Sequence, residues 1–547
     1  MNHIILIMQT IGDFYDAYIK NKNDFPDVAY FYNEVPQTYE EAIDLTHSMP
    51  EFKIDTNKLH ELKEVLINYH KKLGLLTPKV EENILNLEKG IVIAGQQATI
   101  FGGSGIIGNK IAAITNINEI SKEKGKELIP VFLINTHDGI QPEIITIHLP
   151  NNQSSISKPI TLPDVKEGVA LNTIKSNNSE WLNENLDIIK NIFNEFKTTI
   201  YKENQKLFNE KVDHVLTFLR ETYRTADNLG EWVTLIWGIQ ANIINNWGVV
   251  FLPSSDEKIR ELTLSGYELL LKNRKEYISE FNFATSKIEE MNLRPTTALK
   301  NNDYSPFFYE CNNDGYRVNL SCTEDEKDLH FHGLCPIDEV EYVFKVNRDN
   351  PDLLPYSKHL SPRLDTNQAI LQTFLPTYIR ISGPGEINYN AQVIPPIRKL
   401  GIQLPIYVKY TRMLYNTPWI EKITKDSTIE KYSLFTKDFF SILSEIAKSR
   451  RKNEKDQLIG ATNKLTTYVK SRMSELKKSK ETSIHPLEKY KSYQFGMYDE
   501  RHNWQEVSWP WFIMASITGL TDYLASYRRY YSKSLPIGGI GFINSRL

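Results

Sequence analysis

The chain has 547 residues, 41% hydrophobic and 24% charged, with 25 Pro spread among periodic segments, which excludes a disordered polymer and gives room for two or three cores. Its 64 basic and 68 acidic residues leave a formal charge of −4, so no strong field draws it to nucleic acid. Three cysteines rule out a disulfide framework, and the opening apolar patch Met1–Ile7 is too short for a signal peptide, which points to the cytoplasm.

From Thr38 to Leu87 the apolar residues Leu59, Leu62, Val65 and Leu66 recur at helical spacing, predicting helices that lead into a core. At Gly90 the texture changes: an apolar run Ile91–Ala94, a glycine-rich loop Gly95–Gly105, a helix over 106–124, and a second run over 128–134 form a β-α-β unit. Such a unit implies a parallel sheet whose ligands bind beyond the carboxyl ends of the strands. Within the loop, Gly95, Gln96, Gln97, Gly102, Gly103 and Ser104 offer a backbone that an anion can approach, with Lys110 one turn into the helix. The same glycines also suit a tight strand-to-helix turn with no ligand. Gly108-Asn109-Lys110 misses the P-loop spacing by one residue, which excludes a P-loop NTPase. His137 and Asp138 follow the second strand, where an imidazole beside a carboxylate serves as acid, base or hydroxyl holder, or simply as a satisfied loop pair.

Residues 151–350 are mixed and read as an insertion, with helices over 181–218 and 230–245 and a strand at 249–252. All three cysteines fall between Cys311 and Cys335, in the frame Cys311-x-x-Asp314 … Cys335-x-x-Asp338, the spacing of a zinc ribbon whose knuckles have each exchanged one cysteine for Asp. Cys311, Cys335, Asp314, Asp338 and His332 are the candidate ligands of a structural zinc; the alternative is a ribbon that lost its metal, and Cys322 fits neither knuckle. After Pro351 the α/β texture resumes with a strand over 378–381, the turn Ser382-Gly383-Pro384-Gly385, a helix over 386–400 and a strand over 405–408. Glu386 in the first helical turn is a candidate catalytic group or a plain dipole complement, and Tyr389 and Gln392 are expected to share its face. Residues 433–480 are helical, with Leu458, Leu465, Val469 and Leu476 on a heptad-like seam that suits a coiled coil or a helical hairpin. Trp509–Ala525 carries Pro510 and Asp522 and reads as a buried helix, not a membrane span.

Gly95-Gln96-Gln97 with Phe101, Gly102 and Lys110, and Gly383-Pro384-Gly385-Glu386-Ile387 with Tyr389 and Gln392, resemble the two signatures of the BshC family of bacillithiol synthesis. Weaker likeness runs through Gly248–Val250, Leu360–Pro362, Pro405 and Pro418 to Gly496, Glu500 and Arg501. The resemblance implies a Rossmann-like core related to class I aminoacyl-tRNA synthetases, connecting insertions, and a C-terminal helical coiled coil that pairs two copies. It also implies a ligase that joins cysteine to glucosaminyl malate, with ATP as the candidate activating cofactor. The chain departs from the family where an acidic run is replaced by Thr136-His137-Asp138-Gly139, where Asn390 replaces an aromatic, and at Lys409–Arg412. The expected layout is 1–150 for N-terminal helices and the first half of the core, 151–350 for insertions with the ribbon at 305–345, 351–430 for the second half, and 431–547 for the helical end. Small-molecule substrates are expected, with neither nucleic acid nor membrane as partner; a non-catalytic nucleotide- or metabolite-binding homologue is the rival reading.

Overall fold

The computed structural model describes residues 11–416 apart from 13–14, 17–27, 33, 151–156 and 198–201, then 442–478 apart from 444, 447–448 and 451–453, and 505–544 apart from 534. The strands in chain order are β1 (Ile91–Gln97), β2 (Ile129–Asn135), β3 (Thr146–Leu149), β4 (Lys158–Thr161), β5 (Val250–Pro253), β6 (Tyr304–Glu310), β7 (Arg317–Glu324), β8 (Asp328–Leu334), β9 (Glu341–Asn347), β10 (Leu360–Pro362), β11 (Thr377–Ser382), β12 (Ile406–Lys409), β13 (Arg412–Asn416) and β14 (Ile540–Asn544).

β1, β2, β5, β11 and β12 form one all-parallel sheet in the order β12-β11-β1-β2-β5. Counting only these strands, the order is 3-2-1-4-5, the doubly wound Rossmann arrangement, and it reverses direction between β1 and β11. Both faces are covered, as the unbroken apolar runs demand. Ile91 and Ile93 of β1 pack with Leu59, Leu62 and Leu66 of the helix Thr56–Lys72, while Val92 and Ala94 belong to the larger core on the opposite face. That second face receives the helix Gly105–Glu123, which is buried along most of its length because the helix Leu520–Arg528 closes over it.

β1 is longer than its apolar run, so Gly95, Gln96 and Gln97 are its last strand residues and not part of the loop. They pair in register with Leu133, Ile134 and Asn135, which holds the Gln-Gln step rigidly at the sheet edge. Phe101, Gly102 and Gly103 then take left-handed φ of 55°, 79° and 74°, and the chain turns into the helix.

Inserted between β5 and β11 is an antiparallel sheet, order β10-β6-β7-β8-β9, whose middle strands alternate buried and open residues because only one face packs on the body. The segment read as one helix over 509–525 is two, Trp511–Thr518 and Leu520–Arg528, broken at Gly519 with φ 94°. Among the described residues no helix is long and apolar enough to cross a membrane. The helix Lys455–Lys478 is present; of the expected seam Leu458 is buried, Leu465 half-buried and Val469 exposed, with Ala461 buried beside Leu458. Residues 433–441 and Pro418, Gly496, Glu500 and Arg501 lie outside the described residues.

Candidate functional site

A cavity of about 330 Å³ opens at the carboxyl ends of β1, β2 and β11, at the point where strand order reverses. Its wall contains Gly95, Gln96 and Gln97 from β1, Asn135, His137 and Asp138 from the end of β2, and Gly383, Pro384, Gly385, Glu386 and Tyr389 from the third turn and its helix. Three segments far apart in sequence therefore meet in one pocket because parallel strands present all their carboxyl ends at one edge.

Lys110 reaches this edge from within the helix Gly105–Glu123. Its ammonium is 1% exposed and donates to Glu386 Oε2 at 2.5 Å, to the Gly95 carbonyl at 2.9 Å and to Gln96 Oε1 at 3.2 Å. Glu386 Oε2 also accepts the Gly383 N–H at 2.6 Å, and Arg380 Nη2 stands 3.7 Å from Oε1. Glu386 thus clamps strand, turn and helix together, and the Gly383 N–H is taken up by the chain's own carboxylate. Gly385 keeps an approach open, with nothing within 4 Å of the place a Cβ would occupy.

Four cationic side chains, Lys110, Arg363, Arg380 and Arg412, line the cavity against two carboxylates, Asp138 and Glu386. The excess suits a carboxylate or phosphate. Sequence reasoning missed Arg363 and Arg380 and met Arg412 only within the divergent segment Lys409–Arg412, although Arg380 carried a signal: a charge in the middle of the apolar run Tyr378–Ile381, buried to 5% exposure in β11. Asn135 Oδ1, His137 Nδ1 and Tyr410 Oη are buried beside the cavity with no hydrogen-bond partner among the described residues. Buried polar atoms are paired as a rule, so three around one cavity mark places for a polar ligand.

His137 Nε2 lies 3.7 Å from Asp138 Oδ1, too far for a hydrogen bond. Burial, reinforced by the positive fields of Arg317 and Arg260, holds its imidazole well below the usual histidine range, so it is neutral near pH 7. Burial pushes Asp138 up, opposed by Arg317 and by a hydrogen bond with Gln97. A neutral imidazole suits donation or acceptance of a hydrogen bond better than storage of a proton.

Four expected binding residues stand outside this cavity. Gln392 is fully buried, accepting from the Thr296 and Thr297 N–H groups at 2.9 Å and donating to Thr285 Oγ1 at 2.8 Å, so it ties its helix to the 290s loop. Gly102 sits under Trp237 and Trp511, its carbonyl accepting from Trp237 Nε1–H at 2.9 Å, and a Cβ there would come within 2.9 Å of Trp511 Nε1. Gly103 and Ser104 border a neighbouring cavity of about 320 Å³ that shares Gln96, Gln97, Ile106 and Val507 with the first. The family-divergent positions have local roles: Thr136 Oγ1 meets Ser255 Oγ at 2.6 Å, and Lys409 pairs with Asp16 at 2.6 Å.

On the antiparallel sheet, Cys311, Asp314, Cys335 and Asp338 converge, with one ligand atom of each within 4.8 Å of the others. His332 is not among them; its side chain is exposed on β8 and its Nε2 bonds Glu341 at 2.7 Å, because alternation along the strand turns it to the open face. Cys322 is buried elsewhere in β7.

Residues 1–411 match the sequence model described as "Bacillithiol biosynthesis BshC, N-terminal Rossmann-like domain". The chain belongs to the BshC family. It is similar to proteins named "Putative cysteine ligase BshC" from Staphylococcus carnosus (strain TM300), 24% identical over 71% of this chain and 66% of that one, and from Bacillus licheniformis (strain ATCC 14580), 24% identical over 68% and 64%. A third, of the same name, from Staphylococcus epidermidis (strain ATCC 12228) is 23% identical over 66% and 63%. The match spans just under two thirds of each of these relatives' own length. In this BshC chain the matched region contains the whole parallel sheet and the lining of the cavity up to Tyr410.

Proposed function

We propose that the cavity at the β1–β11 switch is the active site of an ATP-dependent ligase that joins the carboxylate of cysteine, or of another amino acid, to an amine on an amino-sugar-type acceptor. The observation that carries this reading is the excess of cations around three unpartnered polar atoms at the switch point of a doubly wound sheet, the place where such sheets take their ligands. Amide formation from a free carboxylate and an amine is uphill in water, so the carboxyl must first be activated; ATP supplies a phosphate or adenylate as leaving group. In this reading Arg363, Arg380 and Arg412 hold anionic groups and stabilise charge that grows on them during transfer. Gln96 and Gln97, fixed by strand pairing, orient the carboxylate or the ribose. Asp138, with its raised affinity for a proton, is the group suited to take the proton lost when the amine attacks, and neutral His137 orients the acceptor. Glu386 is then a positioning residue that holds Lys110 and the third turn, and Tyr389 shapes the wall.

The neighbouring cavity, open along the same glutamines, offers room for the second substrate beside Gly103 and Ser104. An enzyme working on ATP and a reduced thiol belongs in the cytoplasm. Its layout keeps 1–150 and 351–430 as the two halves of the core, 151–350 as the segment that carries the insertions together with core strand β5, and 431–547 as the helical end, with pairing of two copies through the C-terminal helices. Zinc at the Cys/Asp cluster would be structural and outside this chemistry, since none of those four residues lines the cavity. The rival, a binding protein without turnover, draws on the loose 3.7 Å His137–Asp138 pair. Untargeted thiol profiling of a strain lacking the gene separates the two: loss of one low-molecular-weight thiol, with its amine precursor accumulating, supports the ligase, and an unchanged thiol pool contradicts it.

A further inference from the structure

We infer that Cys311, Asp314, Cys335 and Asp338 form a zinc site of composition S₂O₂, and that the metal holds the ribbon in the position that braces the His137–Asp138 wall of the cavity. The inference is independent of which reaction the cavity performs.

The two knuckles are built alike, residue for residue. In each, the cysteine N–H donates to the carbonyl five residues on, Tyr316 or Val340, and the N–H four residues on, Gly315 or Glu339, donates back to the cysteine carbonyl. That fourth residue takes left-handed φ in both, 74° at Gly315 and 59° at Glu339. Backbone N–H groups point at both sulfurs, from Asn313 to Cys311 at 3.4 Å and from Ile337 and Asp338 to Cys335. Each aspartate uses Oδ1 to accept the N–H two residues on, at 2.8 Å for Asp314 and 3.2 Å for Asp338. Each Oδ2 then faces the sulfur of the opposite knuckle, 3.4 Å from Asp338 to Cys311 and 3.6 Å from Asp314 to Cys335. A tetrahedral zinc with sulfur at about 2.3 Å and oxygen at about 2.0 Å needs S···O edges of about 3.5 Å.

Charge argues the same way. Both cysteines are buried, and among the described residues neither Asp314 nor Asp338 is paired with Lys or Arg. Thiol and amide donors hold these carboxylates, Asn313 Nδ2 reaching Asp338 Oδ2 at 2.7 Å, and a divalent ion that displaces the two thiol protons would take both sulfurs and both Oδ2 atoms as its four ligands.

The first knuckle also touches the site. Gly315 accepts the Ala170 N–H at 2.9 Å and Arg317 donates its N–H to Gly168 at 3.0 Å, while Leu171 donates its N–H to the Asp138 carbonyl at 2.9 Å. The 168–171 segment is therefore held between the knuckle and the cavity wall, and Arg317 Nη1 stands 3.9 Å from Asp138 Oδ1.

The test is metal analysis of the full chain purified from zinc-supplemented culture, followed by replacement with cobalt. One zinc per chain, absent from Cys311→Ser and Cys335→Ser but retained in Cys322→Ala and His332→Ala, is expected. Cobalt should give tetrahedral d–d bands with a thiolate charge-transfer band, a readout made on the unmodified chain should the cysteine variants fail to fold. Chelation should speed hydrogen exchange at 168–171 as well as at 311–316. A chain that carries no metal, and binds cobalt without a thiolate band, overturns the site and leaves S–H···O hydrogen bonds as the ribbon's closure; faster exchange confined to the knuckles overturns the bracing.

Discussion

Lys110 and Glu386 meet from opposite halves of the core, one from the helix after β1 and the other from the helix after β11. Removing Lys110 leaves Glu386 half-buried with the Gly383 N–H and Arg380 Nη2 at 3.7 Å as its remaining partners, which puts the cost at the lower end of the about 3–5 kcal/mol of a broken buried pair. Lys110→Met should therefore lower unfolding free energy by about 3 kcal/mol in urea titration, and adding Glu386→Gln should restore part of the loss; strict additivity of the two would deny the pairing. Buried His70 contributes to the acid limb of stability. His70 donates Nδ1–H to the Leu66 carbonyl and accepts the Phe251 N–H at Nε2, a neutral arrangement that burial reinforces by holding its pKa at about 4. Because the folded value lies below the unfolded one, the stability this ring contributes is present above about pH 6.5 and lost as pH falls toward 4, roughly 3 kcal/mol at 1.36 per unit. His70→Gln should flatten that limb in melting curves, and an unchanged slope would count against it. Glu506 acts in the opposite direction: burial pushes it up to about 8, its Oε1 accepting from Asn109 at 2.5 Å, so its share of stability is full below about pH 4.5 and fades as pH rises through 8.

At the scale of elements, the strands and helices of the core were legible because a parallel sheet covered on both faces leaves unmistakable apolar runs, and Ile91–Ala94 and Leu128–Ile134 are such runs. The turn between them was harder. Gly102 reads as an open approach for an anion, yet its neighbours Trp237 and Trp511 come from segments 135 and 409 residues away, and nothing local announces them. Gly102→Ala should destabilise by about 2–4 kcal/mol, combining left-handed strain with overpacking against indole; a melting point unchanged within a degree or so would refute this packing role. Gln392 failed for a geometric reason. Each step of three residues falls about 60° short of a full helical turn, so Glu386 and Tyr389 still share the cavity while Gln392 has rotated away to the Thr285 side. Arg363 and Arg380, which lie outside the signature turns, were not picked out by motif reading, while Tyr410 and Arg412 stood out only as members of the family-divergent segment Lys409–Arg412, with no role of their own.

For the whole molecule, the Rossmann strand order followed from the sequence only through the family likeness, since spacing alone does not say that β11 inserts beside β1. The C-terminal helix Lys455–Lys478 keeps Ile459 and Val469 exposed, apolar positions suited to a second copy. Light scattering at micromolar concentration should give a dimer that becomes a monomer on deletion of 433–480, and a monomer in both cases would leave the helix with a packing role alone. The central claim, that the cavity at the β1–β11 switch runs amide ligation, is tested most directly by mass spectrometry of purified protein incubated with ATP, cysteine and an amino-sugar acceptor such as glucosaminyl malate. An ATP-dependent product heavier than the acceptor by cysteine less one water is expected from the unmodified chain and absent from Arg380→Ala; acceptor and cysteine recovered unchanged, with ATP bound but not consumed, would contradict ligation at this cavity.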